Sequence, residues 1–228
     1  MVRHGGLIER RMSDLASTIN VFDNFLKTNF GGLIGSCRSN PAMGLVASNE
    51  KKGLNFSEDL SGKLMRINHS GEVAAQGLYQ GQLFFETNPS MRDYLERAAR
   101  EEADHLIWTE EYLAAKGARK SYLNPIWYLG SFGLAVFMQL QGQKKSKSFL
   151  AETERQVQTH LEKHLDIFPS EDNQARVILE KMYEDEGEHA SWAENDSSGE
   201  DVTEELSKFE KRAMEVMSKV MIETSRRI

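Results

Sequence analysis

The sequence predicts an all-α fold: a four-helix bundle with additional helices at both ends and one apolar segment suited to a membrane surface. Three observations carry this. Proline is scarce, with 4 in 228 residues, while Ala, Leu, Glu, Gln, Lys and Met dominate the middle of the chain, and these are the stronger helix formers. Apolar residues recur at helical spacing through most of the chain. Two lone glutamates, Glu72 and Glu154, alternate with two Glu-x-x-His units, Glu102 with His105 and Glu186 with His189. In a four-helix bundle, one Glu from each of two helices and one Glu-x-x-His from each of the other two build a carboxylate-bridged dimetal site.

The elements follow in order. Residues 13–29 read as an amphipathic helix, with Ser13 as N-cap and Leu15, Ile19, Phe22 and Leu26 on one stripe. Residues 31–57 carry Gly, Ser and Asn and read as a linker. The domain organisation is therefore a helix and linker over 1–57 and a bundle over 58–228. Helices are expected at about 60–86, 90–116, 124–168, 172–195 and 202–225, with Pro89, Gly117, Pro125 and Pro169 at or beside their ends. A kink or break is expected near Gly142.

The most apolar run is 125–140, PIWYLGSFGLAVFMQL. It is shorter than the roughly 20 residues that cross a bilayer. Two readings stay open: a buried core helix, or a segment lying in a lipid interface with Trp127 and Tyr128 at headgroup level and Lys144, Lys145 and Lys147 beyond. The last helix has the same ambiguity. Leu206, Phe209, Ala213, Val216, Met217 and Val220 form its stripe, and Lys211, Arg212, Lys219, Arg226 and Arg227 its basic side.

Composition narrows the function classes. A net charge of −7 argues against a nucleic-acid partner, because a phosphate backbone is held by accumulated Lys and Arg. The single cysteine, Cys37, excludes an intrachain disulfide, and no Cys-x-x-Cys provides a thiolate metal site. Charged and polar residues interrupt the N-terminus, unlike a secretory signal, so the interior of a cell is expected.

Helical phase tests the six residues. Residues three apart lie within about 60° on a helix, so both members of Glu-x-x-His can reach one point. Glu102 shares its face with Leu95, Ala98, Leu106, Thr109 and Leu113, whereas Glu101, Asp104 and Glu111 are expected in solvent. Glu186 runs with Leu179, Met182, Tyr183, Ala190 and Ala193, whereas Asp185 and Glu188 turn away. Glu72 runs with Met65, Ala75, Tyr79 and Leu83, and His69 sits one turn earlier, near enough to support a metal or face a substrate. Glu154 matches the stripe Leu150, Val157, Leu161, Leu165, so it is preferred over Glu152. Four carboxylates on apolar faces need cations, since an unpaired buried charge costs several kcal/mol. Such donors suit iron or manganese, and four carboxylates neutralise two divalent ions. Zinc could take similar ligands but has no redox chemistry.

The strings LMRINHSGEVAAQGLYQGQL, EEADHLIWTEEYL, LAETERQVQTHLEKHL and MYEDEGEHASW strongly resemble the demethoxyubiquinone hydroxylase family of ubiquinone biosynthesis, in its bacterial branch, from about residue 60 to the end. The resemblance implies a ferritin-like fold with two iron ions held by Glu72, Glu102, His105, Glu154, Glu186 and His189. It implies O2-dependent hydroxylation of a polyprenylated demethoxyubiquinol ring, with O2 as co-substrate. It also implies a peripheral place on the cytoplasmic side of the cell membrane, with other ubiquinone-biosynthesis proteins or further copies of the chain as partners. No nicotinamide- or flavin-binding motif is present, so a direct reductase is expected to be separate. A polyprenyl tail is collected at a bilayer, which predicts a hydrophobic channel from 124–140 to the metals. Charged substitutions at Leu134 and Phe137 are expected to weaken liposome binding. The alternatives are a ferroxidase or iron-storage protein of the same fold, a metal-free or metal-stabilised membrane-associated partner protein, and a quinol oxidase that returns water and an unhydroxylated quinone.

Overall fold

The computed structural model describes residues 5–45, 60–194 and 206–228, with side chains in the first stretch from residue 16 onward. Among these residues it contains α1 (Gly5–Phe30), α2 (Leu60–Phe85), α3 (Pro89–Ala115), α4 (Asn124–Leu140), α5 (Gln143–Ile167), α6 (Asn173–Glu194) and α7 (Lys208–Arg227), and no strand. Short connections make α2/α3 and α5/α6 the two helical pairs. The most extensive packing is α2 on α4, α5 on α6 and α2 on α3, and α7 closes against α2 and α5.

Local chemistry sets the ends. The Asn88 side chain accepts from the Met91 N–H, with Pro89 following as the first helical residue of α3. Glu86 ties the preceding turn by accepting from the Thr87 and Asn88 amides. At the other end, Gly117 takes φ +64°, and Ala118 N–H bonds back to Leu113 O at 2.9 Å. Asp172 caps α6 by accepting from Ala175 N–H, and Ser207 with Glu210 forms a reciprocal capping box on α7.

The break expected near Gly142 is present: the 124–168 stretch is two helices, divided where Gly142 adopts φ +118°, a conformation that L side chains rarely take. Other expectations change. The first helix begins at Gly5, so Ser13 is helical and is not its cap. Ile19, Phe22 and Leu26 face outward, with Phe22 60% exposed; α1 instead docks through Phe25, edge-on to Tyr128 at 5.3 Å, and through Asn24 donating to Gln80 at 2.9 Å. The side chain of Leu15 lies outside the described residues, as do residues 46–57 of the linker and 202–205 of the expected last helix.

The buried-core reading of 125–140 holds for one face of α4 only. Tyr128, Ala135 and Met138 are buried, whereas Ile126, Leu129, Phe137 and Leu140 are exposed. Among the described residues no helix is long and apolar enough to cross a membrane. Lys147 is buried and Lys145 pairs with Glu210 at 2.9 Å, so two of the three lysines after α4 are already engaged within the protein. In α7, Leu206 before the helix and Met214 pack on the core, while Phe209, Val216, Met217 and Val220 are exposed.

Candidate metal centre

All six sequence-selected residues are buried and meet between the two helical pairs. Glu72 from α2, Glu102 and His105 from α3, and Glu186 from α6 each offer a ligand atom, all within 4.8 Å of one another. Glu154 from α5 forms a second group of the same compactness with Glu186 and His189. Glu186 belongs to both. His105 Nδ1 lies 3.2 Å from Glu102, 3.6 Å from Glu72 and 3.8 Å from Glu186. His189 Nδ1 lies 2.9 Å from Glu102 and 3.7 Å from Glu186.

The donors fit a pair of cations. Glu72 Oε2 and Glu186 Oε2 are buried without a hydrogen-bond partner, although buried polar atoms normally have one, and Glu102 Oε1 and His189 Nδ1 face each other at 2.9 Å outside good hydrogen-bond geometry. Burial, followed by the charge of Glu102, pushes the Glu72 carboxyl up to about 8. Burial and Glu102 likewise raise Glu154, and with Glu154 they raise Glu186. Glu102 goes the other way: burial works to raise it, but His105 and His189 outweigh burial and hold it below the usual carboxylate range. Burial works to lower both histidines, but Glu102 with Asp185, and Glu101 with Glu102, keep His105 and His189 well above the ordinary value. Metal and protons therefore compete for the same atoms, and loading expels protons.

The outer nitrogens correct the sequence reading. Asp185 is buried, not solvated, and accepts from His105 Nε2 at 2.9 Å. Glu101 accepts from His189 Nε2 at 2.9 Å. A residue one position from an inward-facing glutamate is rotated about 100°, which in this bundle aims it at the neighbouring helix. The pairing is crossed: the acid before Glu186 serves the histidine of α3, and the acid before Glu102 serves the histidine of α6. The signal was an acid immediately before each Glu-x-x-His unit. Asp104 is buried as well, accepting from Ser36 and from Arg38 Nε, the latter at 2.8 Å. Tyr79 OH donates to Glu154 at 2.9 Å. Glu152 pairs instead with Arg155. His69 is outside both groups: it accepts from the Asn124 amide, and burial, then Lys120, lower it to about 3.

A cavity of about 370 Å³ adjoins the centre. Its lining runs from buried Glu72 and Glu154 past Leu78, Leu134 and Phe149 to Ile126 and Met217, which are exposed. Among these apolar walls, Asn68 has neither polar side-chain atom partnered, and His160 Nε2 is unpartnered. Burial, with Lys163 adding to it, lowers His160 to about 4, so its ring is neutral.

Comparison with known proteins identifies the family. Residues 59–225 match the family described as Ubiquinone biosynthesis protein COQ7. A 3-demethoxyubiquinol 3-hydroxylase of Nitrosococcus oceani is 43% identical over 218 residues, covering 95% of this chain and 97% of that protein. The enzymes of the same name from Dechloromonas aromatica and Cupriavidus metallidurans are 48% identical over 158 residues (69% of this chain, 74% of that protein) and 41% identical over 210 (92% and 98%). With the family match spanning most of the chain and relatives matching nearly end to end, the chain belongs to the COQ7 family of ubiquinone biosynthesis proteins.

Proposed function

We propose that this chain hydroxylates the ring of a polyprenylated demethoxyubiquinol with O2, at a di-iron centre held by Glu72, Glu102, His105, Glu154, Glu186 and His189. The observation that carries the reading is the junction of two donor groups, sharing Glu186, with an apolar cavity that reaches the surface. Iron bound there supplies the redox chemistry with O2 that no side chain has. The protein's own residues do the rest. The apolar lining accepts an isoprenoid tail and excludes water. Asn68 and His160 offer hydrogen bonds to the ring oxygens where the cavity is otherwise dry. Tyr79 holds one oxygen of Glu154 and so fixes its orientation. The iron-storage alternative gains nothing from such a cavity, because apolar walls give a hydrated ferrous ion no favourable contact.

The test is mass. Reduced, iron-loaded protein given 18O2 and a short-tailed demethoxyquinol should yield product carrying one 18O atom in the new hydroxyl. Oxidised quinone without added oxygen, or iron uptake without quinol turnover, would sink the assignment.

We place the protein peripherally on the cytoplasmic face of the membrane, with the cavity mouth toward lipid. The exposed Ile126, Leu129, Phe137 and Leu140 of α4 and Val216, Met217 and Val220 of α7 support this. Phe137→Asp should reduce flotation with anionic liposomes while leaving iron content unchanged; undiminished flotation would remove α4 from the contact. Leu134 is a poorer probe than its sequence position suggests, because it lines the cavity and packs on the core.

A further inference from the structure

Residues 35–38, beyond the end of α1, reach the helices that hold the metal centre. Gly35, Ser36 and Arg38 lie on α3 where it faces α6. Ser36 N–H donates to Arg100 O at 3.2 Å, and its hydroxyl donates to Asp104. The Arg38 fork then closes three contacts: Nε to Asp104 at 2.8 Å, Nη1 to Asp185 at 2.6 Å and Nη2 to Glu101 O at 3.2 Å. Its guanidinium also sits over the Trp108 ring, 5.1 Å from the centroid. The fit is close enough that a Cβ on Gly35 would collide with the Asp104 carboxylate.

Asp185 is the junction. Its Oδ2 takes Arg38 Nη1 and His105 Nε2 together, and its Oδ1 takes Lys181 Nζ at 2.9 Å. A planar guanidinium can bind two acids in fixed geometry in a way that an ammonium cannot. The equivalent contact on the other side has less support: Glu101, which holds His189, is 30% exposed, and Arg38 hydrogen-bonds there to the Glu101 backbone carbonyl.

We propose that Arg38 is a positioning residue for the metal centre: by clamping Asp104 and Asp185 it fixes the carboxylate that orients His105, and it makes the site containing His105 the tighter of the two. This rests on the di-iron reading above. Partners behind a histidine ligand typically contribute 10–100-fold in metal affinity, and Arg38 acts through such a partner.

Anaerobic Fe(II) titration of the full chain, with a chromogenic chelator as competitor, tests it alongside the melting temperature of the metal-free protein. Wild type should take two equivalents. Arg38→Ala should weaken the tighter one by about 10–100-fold and leave the other in place. Arg38→Lys should recover only part of the loss, since it cannot bridge both acids. Gly35→Ala should reproduce the defect with Arg38 intact, by lifting the segment away from Asp104. Unchanged affinity in Arg38→Ala, or equal weakening of both equivalents in step with a lower metal-free melting temperature, would overturn the proposal. Wild type that takes up no Fe(II) would overturn the di-iron reading and this inference with it, whereas normal wild-type uptake with an unaffected Arg38→Ala overturns this inference alone.

Discussion

Glu186→Gln should abolish ring hydroxylation and iron retention while making the metal-free protein more stable at neutral pH. Glu186 is the one residue common to both donor groups, so an amide there removes a charged donor from each. A fall in turnover to the buffer background and loss of both iron equivalents are expected. The stability gain comes from the same burial. The Glu186 carboxyl is held well above its ordinary value by burial, then by Glu102 and Glu154. A carboxyl whose folded value is raised binds a proton that the unfolded chain has released, so folding stability falls as pH rises from the unfolded value, near 4.5, through the folded one. Glutamine has no such cost. The metal-free variant should therefore melt with wild type below about pH 4 and above it by a margin that widens toward pH 8. Thermal melts of chelator-treated protein across pH 4–8 decide this; an equal or lower melting temperature for the variant at pH 8 would mean the buried carboxyl costs the fold nothing.

Gly77→Leu should unfold the protein or destabilise it by about 3 kcal/mol or more, near the upper end of overpacking. A Cβ on Gly77 would run into the Tyr128 carbonyl, and one on Gly81 into the Phe132 carbonyl and the Ala135 side chain. The backbones of α2 and α4 meet at these two positions, and no side chain can retreat to make room. Because Trp127, Gly130 and Leu134 of α4 wall the cavity, a surviving fold should bind the quinol poorly even with iron in place. Gly133→Ala is the control: nothing lies within 4 Å of its Cβ, so helix propensity should make it stabilising by about 1 kcal/mol. Denaturant melts of the two variants should move in opposite directions. If Gly77→Leu melts with wild type, the helices do not approach as closely as described.

Phase made much of the centre legible from the sequence. The inward faces of α2, α3, α5 and α6 were readable because Glu72, Glu102, Glu154 and Glu186 each travel with apolar residues one turn away, and such a pattern survives without knowledge of neighbours. What lies one residue off that face was not readable. Asp185 and Asp104 have the phase of solvated residues, and only the position of α3 beside α6, with Arg38 arriving from a distant segment, turns them into buried, bonded groups. The outward stripe of α1 misled for a related reason. Ile19, Phe22 and Leu26 have the periodicity of a core face, but the helix docks through Phe25, and periodicity alone does not say which side a helix turns to its neighbours. The division at Gly142 was legible because glycine leaves few alternatives.

The crossed acids have a mechanical consequence. Asp185 of α6 grips the ring on α3, and Glu101 of α3 grips the ring on α6, each at 2.9 Å. A slip of one residue along either axis is about 1.5 Å, enough to open both contacts at once and swing both rings. The two helices are thus keyed like a lock with opposed pins, and any substitution that shifts their alignment is read out directly at the atoms that would carry the iron.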